Sequence, residues 1–339
     1  MPHPVLTPLS PTAMSTFTPA DCLPTLPQVR QACQWVYAAM PPTPQYAYPM
    51  LATAAGCNVW VKHENHTPLG AFKMRGGLVY GHKFLEQYPD TQGFITATKG
   101  NHGQSVAYVA KQYGLKSTIV VPTNNSQCTN AAMQALGAEV ISHGLTIADS
   151  MAYAAELVQQ RPHWHQVPAY HPWLIQGVAT YALELFEAAP PLDAVFVAVG
   201  KGSGISGVLA LRNALQLDTQ VIGVVAEGAP AYANAFASGQ PYHSASVNTL
   251  ACGVAIPSTE PVSLQVIREG ASEVLAVSDE LILKGMRLYY DTTHNVACGA
   301  GAIALAGLLS QQERWAGKRV GVILSGSNVD ASVWQRCLS

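Results

Sequence analysis

The chain has 339 residues, of which 49% are hydrophobic and only 11% charged, with a formal net charge of −2. That length exceeds a typical single domain of about 100–150 residues and points to two domains or one large one. The apolar, weakly charged composition excludes global disorder, and the near-neutral balance leaves no field to gather nucleic acid or anionic lipid. So few charges are compatible with an oligomer that hides part of its surface. No run of about 18 apolar residues occurs, so no membrane span is expected. The Pro- and Thr-rich start lacks the basic-then-apolar order of a signal peptide. Seven cysteines, an odd number with no C-x-x-C pair, read as reduced thiols of a cytoplasmic protein. The pairs His63/His66 and His163/His165 fit no H-E-x-x-H pattern and no Cys/His quartet, so no metal site is expected.

In chain order, residues 1–27 read as an irregular arm, followed by a helix over 28–40 that Pro41-Pro42 stops. NVWVKHE (58–64) reads as a strand and 71–88 as a helix. Strands are expected at 93–98, 117–122 and 138–144, with helices at 100–114, 124–137 and about 147–160. Further buried-type strands are expected at 193–200, 219–228 and 319–328. Short apolar runs alternating with helices of about 10–15 residues indicate βαβ units and a parallel sheet. The stretch 93–144 could form a small α/β module of its own.

VFVAVGKGSGISG (195–207) is a strand, a turn of small residues and a helix start. Unpaired N–H groups and the positive end of the helix dipole bind an anion there, and glycine lets the backbone approach it closely. The same residues match G-x-G-x-x-G, and Glu227 follows Gly207 by 20 positions, as a dinucleotide site requires. Against that reading, the turn lies mid-chain, whereas a dinucleotide fingerprint usually opens its domain. A phosphate site, a dinucleotide site and a plain tight turn all remain open from these residues alone.

KHENHTPLGAFKMRGG (62–77) holds a turn, Thr67-Pro68-Leu69-Gly70, and then Lys73 in the first turn of a helix with Arg75 close by. A lysine beside a positive helix end and an arginine should have a depressed amine pKa. A partly neutral amine forms a Schiff base with an aldehyde. The common alternative is a solvated helix lysine.

Four segments decide between them: KHENHTPLGAFKMRGG, TKGNHGQS (98–105), VGKGSGISG (199–207) and ILSGSNVD (323–330), in that order. From about Lys62 to Asp330 the chain resembles the fold-type II pyridoxal-phosphate enzymes. The resemblance is to the threonine/serine dehydratase branch, which includes serine racemase and hydroxy-amino-acid dehydratases such as those for phenylserine. GNHGQ rather than GNTG separates this branch from the cysteine synthases. The resemblance implies an α/β fold of two open, twisted, mostly parallel sheets flanked by helices, like the tryptophan synthase β chain. It implies a large domain from residues 1–89 and 161–339 and a small one from 90–160, with pyridoxal 5′-phosphate in the cleft between them. It also implies a homodimer acting on a small amino acid, with no nucleic-acid or membrane partner.

Residue by residue, the resemblance makes Lys73 the Schiff-base lysine, flanked by Phe72, with Ala71 in place of the family serine. Thr98, Lys99, Gly100, Asn101 and His102 form the loop that holds the substrate carboxylate through backbone N–H groups, and Asn101 also bonds the ring 3′-oxygen. Gly200, Lys201, Gly202, Ser203 and Gly204 form the phosphate turn, and Ser325 faces the pyridine nitrogen. Three departures stand out. Lys99 replaces a small residue and is read as a second catalytic amine. Cys298 stands where the family has glutamate. Ala233 replaces the aspartate of a family cation site that would begin at Glu227, so no metal is expected. Nine residues follow Asp330, so no appended regulatory domain is expected. The implied reaction is dehydration and deamination of threonine, serine or a bulkier β-hydroxy-α-amino acid to a 2-oxo acid and ammonia. The alternatives are a racemase or β-replacement enzyme on the same fold, or an NAD-dependent oxidoreductase built on residues 202–227.

Overall fold

The computed structural model describes residues 17–338. Ten strands form two sheets: β1 (Gln45–Ala47), β2 (Asn58–His63), β3 (Gly93–Ala97), β4 (Lys116–Val121), β5 (Glu139–Ser142), β6 (Trp164–Gln166), β7 (Ala194–Ala198), β8 (Gln220–Ala226), β9 (Glu273–Val277) and β10 (Arg319–Leu324). The larger sheet has the order β1-β2-β10-β7-β8-β9 and the smaller one β5-β4-β3-β6. Every pairing is parallel except β1 with β2. The central strands are runs of Val, Ile and Ala buried on both faces, as helices packed above and below a parallel sheet require. Strand β6, past residue 160, joins the smaller sheet beside β3.

The order of the larger sheet carries the main consequence for the site. β10, the last strand, inserts between β2 and β7. The residues that follow it, 325–328, therefore come out beside the turn that follows β2.

The helix expected over 28–40 runs Leu26–Tyr37. It starts earlier because the Thr25 N–H donates to Gln28 Oε1 at 2.8 Å, which gives the helix a capped beginning inside the expected arm. Residues 1–16 of that arm lie outside the described residues. The helices Pro172–Ala188 and Gly299–Ser310 have no counterpart in the sequence reading. Both are buried nearly all round, so neither shows the polar face that makes helical periodicity visible. Among the described residues no helix is long and apolar enough to cross a membrane.

Below the first turn of the Lys73–Gln87 helix lies a buried ionic cluster. Arg75 Nε donates to Glu64 Oε2 at 2.7 Å, and its Nη1 donates to Glu184 Oε1 at 2.6 Å and to Thr180 Oγ1 at 2.9 Å. Lys62 pairs with Glu184 and donates to the Thr43 carbonyl. Arg75, Lys62 and Glu64 are fully buried. Burial opposes the charge on Glu184, but Arg75 and Lys62 outweigh it and hold the carboxyl below the usual carboxylate range. The cluster ties β2, the Lys73–Gln87 helix and the Pro172–Ala188 helix into one unit. The helices meet closely because a Cβ on Gly177 would run into the Arg75 carbonyl. Arg75→Ala would strand two buried carboxylates, an expected loss of about 3–5 kcal/mol. Urea unfolding followed by circular dichroism checks this, and a loss under about 1 kcal/mol would contradict the cluster's role.

Candidate active site

The four segments singled out in the sequence converge. Backbone bonds sew the Lys73 turn to the end of β10: the Phe72 N–H donates to the Ser325 carbonyl at 3.2 Å and the Ser327 N–H to the Gly70 carbonyl at 2.9 Å. The turn itself is closed by the Gly70 N–H on the Thr67 carbonyl at 2.8 Å, with Gly70 at φ +68°. From the second segment, the Ser105 hydroxyl donates to the Lys73 carbonyl at 2.8 Å. The third segment meets the lysine directly, with Lys73 Nζ 3.4 Å from Ser203 Oγ.

Ser203 opens a 12-residue helix, Ser203–Ala214. The turn before it is crowded by its neighbours. Gly202 has φ +98°, and a Cβ there would strike Ser263 Oγ; a Cβ on Gly200 would sit 2.7 Å from the Gly253 carbonyl. Only glycine fits at Gly202, and the free N–H groups of the helix start face the cleft. Lys201 also lines the cleft.

On the opposite wall, Asn101 and His102 begin the helix Asn101–Gln112, so their N–H groups have no carbonyl four residues back within it. The Gly100 N–H donates to Thr98 Oγ1 at 3.1 Å, which shapes the loop. Asn328 Nδ2 donates to Asn101 Oδ1 at 2.8 Å and so fixes the orientation of the Asn101 amide. A second bond spans the same gap, Ser126 Oγ to Asp330 Oδ1 at 2.6 Å.

All the residues expected at the site — Phe72, Lys73, Thr98 to His102, Gly200 to Gly204 and Ser325 — line one cleft of about 2860 Å³. Ala71 is not among the lining residues: it is buried against Gly326 and offers the cleft no side chain. Lys99 is exposed to the cleft, and neither it nor Lys201 forms an ion pair among the described residues. Cys298 caps the helix Gly299–Ser310, accepting from the Gly301 N–H at 3.3 Å, and burial pushes its thiol up to about 11. It lines the cleft as a neutral group, as its departure from the family's glutamate implied. The Ser325 hydroxyl donates to the Ala300 carbonyl at 3.0 Å. Glu227 sits exposed just after β8 and does not line the cleft.

Lys73 is half-buried at the cleft wall, and burial lowers the pKa of its amine to about 8. The direction matches the sequence argument and the cause does not. Arg75 is bound by Glu64 and Glu184 and faces away from the amine, so loss of solvation is what favours the neutral form.

Residues 36–326 match the family described as pyridoxal-phosphate dependent enzyme. The chain belongs to that family. It is 33% identical over 297 residues to the biosynthetic L-threonine dehydratase of Escherichia coli, covering 87% of this chain and 58% of that one. It is 31% identical over 292 residues to the L-threo-3-hydroxyaspartate ammonia-lyase of a Pseudomonas species, covering 85% and 90%. Among solved structures, maize serine racemase superposes with a TM-score of 0.86 at 26% identity, covering 93% and 97%. The chain thus spans a little over half the length of the threonine dehydratases it matches.

The site fits pyridoxal phosphate, the family's cofactor. A glycine cradle at a helix N-terminus suits the phosphate, and the half-buried lysine beside it suits the aldehyde. The residues sequence reasoning missed are Asn328, which orients Asn101, and Ser105, which holds the Lys73 backbone. Asn328 lies within ILSGSNVD, but nothing in the pattern says that it crosses the cleft.

With its pKa at about 8, Lys73 is mostly charged at pH 7 and mostly neutral at pH 9. Brief exposure of the cofactor-free protein to pyridoxal phosphate, quenched with borohydride and mapped by peptide mass, should label Lys73 at a rate that climbs with pH. The expected midpoint is near 8, against about 10.4 for an exposed lysine. A midpoint of about 10 or above, or label on another lysine, would contradict the desolvated amine.

Proposed function

We propose that the protein eliminates water from a β-hydroxy-α-amino acid, and that water then hydrolyses the resulting enamine to a 2-oxo acid and ammonia. The observation that carries this reading is the half-buried Lys73 amine, placed between the glycine turn on one wall and the N–H groups of Asn101 and His102 on the other. Held through Lys73, pyridoxal phosphate supplies an electron sink for a carbanion at the substrate α-carbon. The chain's own residues do the rest. The backbone N–H groups of Asn101 and His102, at a positive helix end, bind the substrate carboxylate. The neutral form of Lys73, which burial favours over that of an exposed lysine, takes the α-proton. Ser325 offers a hydroxyl and no carboxylate at the ring nitrogen, which leaves a weaker sink and suits elimination over transamination. Lys99, unpaired in the cleft, donates a proton to the leaving β-hydroxyl or binds an anionic group on the β-carbon.

The homology supports this reading from both sides: the hydroxyaspartate ammonia-lyase and the serine racemase each align over nearly their whole length. Racemisation is the second reading, because Lys99, which lines the same cleft as Lys73, is a second amine able to carry a proton. A cytoplasmic homodimer, with residues 90–160 moving as a small domain against the rest, belongs to the same proposal. The Ser126–Asp330 and Asn101–Asn328 bonds would clasp the two in the closed form.

The test is 2-oxo acid release from threonine, serine, 3-hydroxyaspartate and phenylserine, with chiral analysis of the remaining amino acid. Elimination predicts keto acid from at least one of the four and none from Lys73→Ala. Lys99→Gln should raise KM for 3-hydroxyaspartate about tenfold, the value of one charge-assisted contact, and leave threonine little changed. Inversion without keto acid would replace this reading by the racemase, and keto acid from the Lys73→Ala protein would overturn both.

A further inference from the structure

Beside the cleft, and sharing Lys73, His102 and Ser203 with it, lies a small chamber of about 10 Å³ whose remaining lining is Gly76, Ala169, Leu174 and Val178. That is room for one water molecule, and three polar groups are the number a buried water normally bonds. One of the three is otherwise unsatisfied: His102 is 9% exposed and its Nε2 is buried without a hydrogen-bond partner. On the other side of the ring lies the Val167 carbonyl. With the proton on Nδ1, Nε2 keeps a bare lone pair, and His102 is one of the residues that line the chamber. The ring stays neutral at physiological pH, because burial, and then the charge of Lys73, hold its pKa down at about 4.

We propose that the chamber is a one-water site through which His102 positions the Lys73 amine. The water donates one hydrogen to His102 Nε2 and the other to Ser203 Oγ, and accepts a hydrogen from Lys73 Nζ. All four groups are then satisfied, which a buried polar set requires. The arrangement holds the amine in one orientation, toward the glycine turn, and gives its charged form an acceptor that the apolar walls cannot. His102 thus acts through its side chain as well as through the backbone N–H that begins its helix. The importance of this for turnover rests on Lys73 being the reacting amine, as proposed above; the water site itself does not.

The other ionisable groups around Lys73 do not supply such an acceptor. Arg75, Glu64 and Glu184 are locked into their own cluster, Lys99 and Lys201 stand on the cleft walls as donors, and the Cys298 thiol stays protonated. Tyr181 donates its hydroxyl to the Gly204 carbonyl at 2.9 Å.

The experiment measures the pH midpoint of Lys73 labelling by trinitrobenzenesulfonate in the full-length protein freed of cofactor, with peptide mass mapping. His102→Leu removes the acceptor and should lower the midpoint, so that labelling at pH 7 is about two- to threefold faster. His102→Gln retains an acceptor oxygen and should stay near the parent protein. Val178→Ile fills the chamber without touching a polar group and should behave like His102→Leu, which keeps the test open if the leucine variant does not fold. A crystal structure at high resolution should show one water within hydrogen-bond reach of His102 Nε2. An unchanged midpoint in both His102→Leu and Val178→Ile, a glutamine variant that matches leucine, or a dry chamber would each overturn the proposal. None of these outcomes bears on which amino acid the enzyme consumes, so the substrate screen fails or succeeds separately.

Discussion

An amine partly desolvated next to the positive end of a helix is the constraint on which this molecule is built. Lys73 loses solvent at the cleft wall, and the turn before the helix Ser203–Ala214 presents N–H groups with no carbonyl to meet them. Each feature alone is unfavourable. Under the proposed function, a phosphate anion at the turn and an aldehyde at the amine would resolve both. The glycine contacts make the turn intolerant of side chains, because a Cβ at Gly202 or Gly200 meets Ser263 or Gly253 rather than solvent.

The few charges of the chain are placed with the same logic. Lys62, Glu64, Arg75 and Glu184 form a closed set of two positive and two negative groups beneath the first turn of the Lys73 helix. Their sum is zero, so the cluster anchors the helix without imposing a net field on the amine two residues away. Lys99 and Lys201, by contrast, stand unpaired on the cleft walls among the described residues. Charge that holds structure is paired and buried, and charge that can meet a ligand is left open to the cleft.

Chain order and spatial order differ most at the site. The insertion of β10 between β2 and β7 brings residues separated by more than 250 positions into backbone contact at Gly70–Phe72 and Ser325–Ser327. This is why single segments remained ambiguous. The glycine turn taken alone fits a dinucleotide site, and the family match together with Lys73 standing at Ser203 decides against that reading. Lys73 taken alone fits a surface lysine. The depressed amine was anticipated in the right direction for the wrong reason, because sequence proximity to Arg75 says nothing of where a guanidinium points.

The local pattern of residues determined seven of the strands, the helices Lys73–Gln87, Asn101–Gln112, Gln127–Ala135, Ile147–Gln160 and Ser203–Ala214 between them, the turn at Thr67–Gly70 and the glycine turn at 200–204, since each depends on neighbours within a few positions. It also identified the lysine and the loop that share the cleft, because four ordered segments resemble one family. Three-dimensional packing alone decided the rest. The all-buried helices Pro172–Ala188 and Gly299–Ser310 carry no polar stripe to announce them. The Asn328 bond to Asn101, the ionic cluster and the chamber beside His102 join groups from distant parts of the chain. Burial and partner choice are properties of the assembled neighbourhood, and those set the protonation of an amine or an imidazole where sequence spacing cannot.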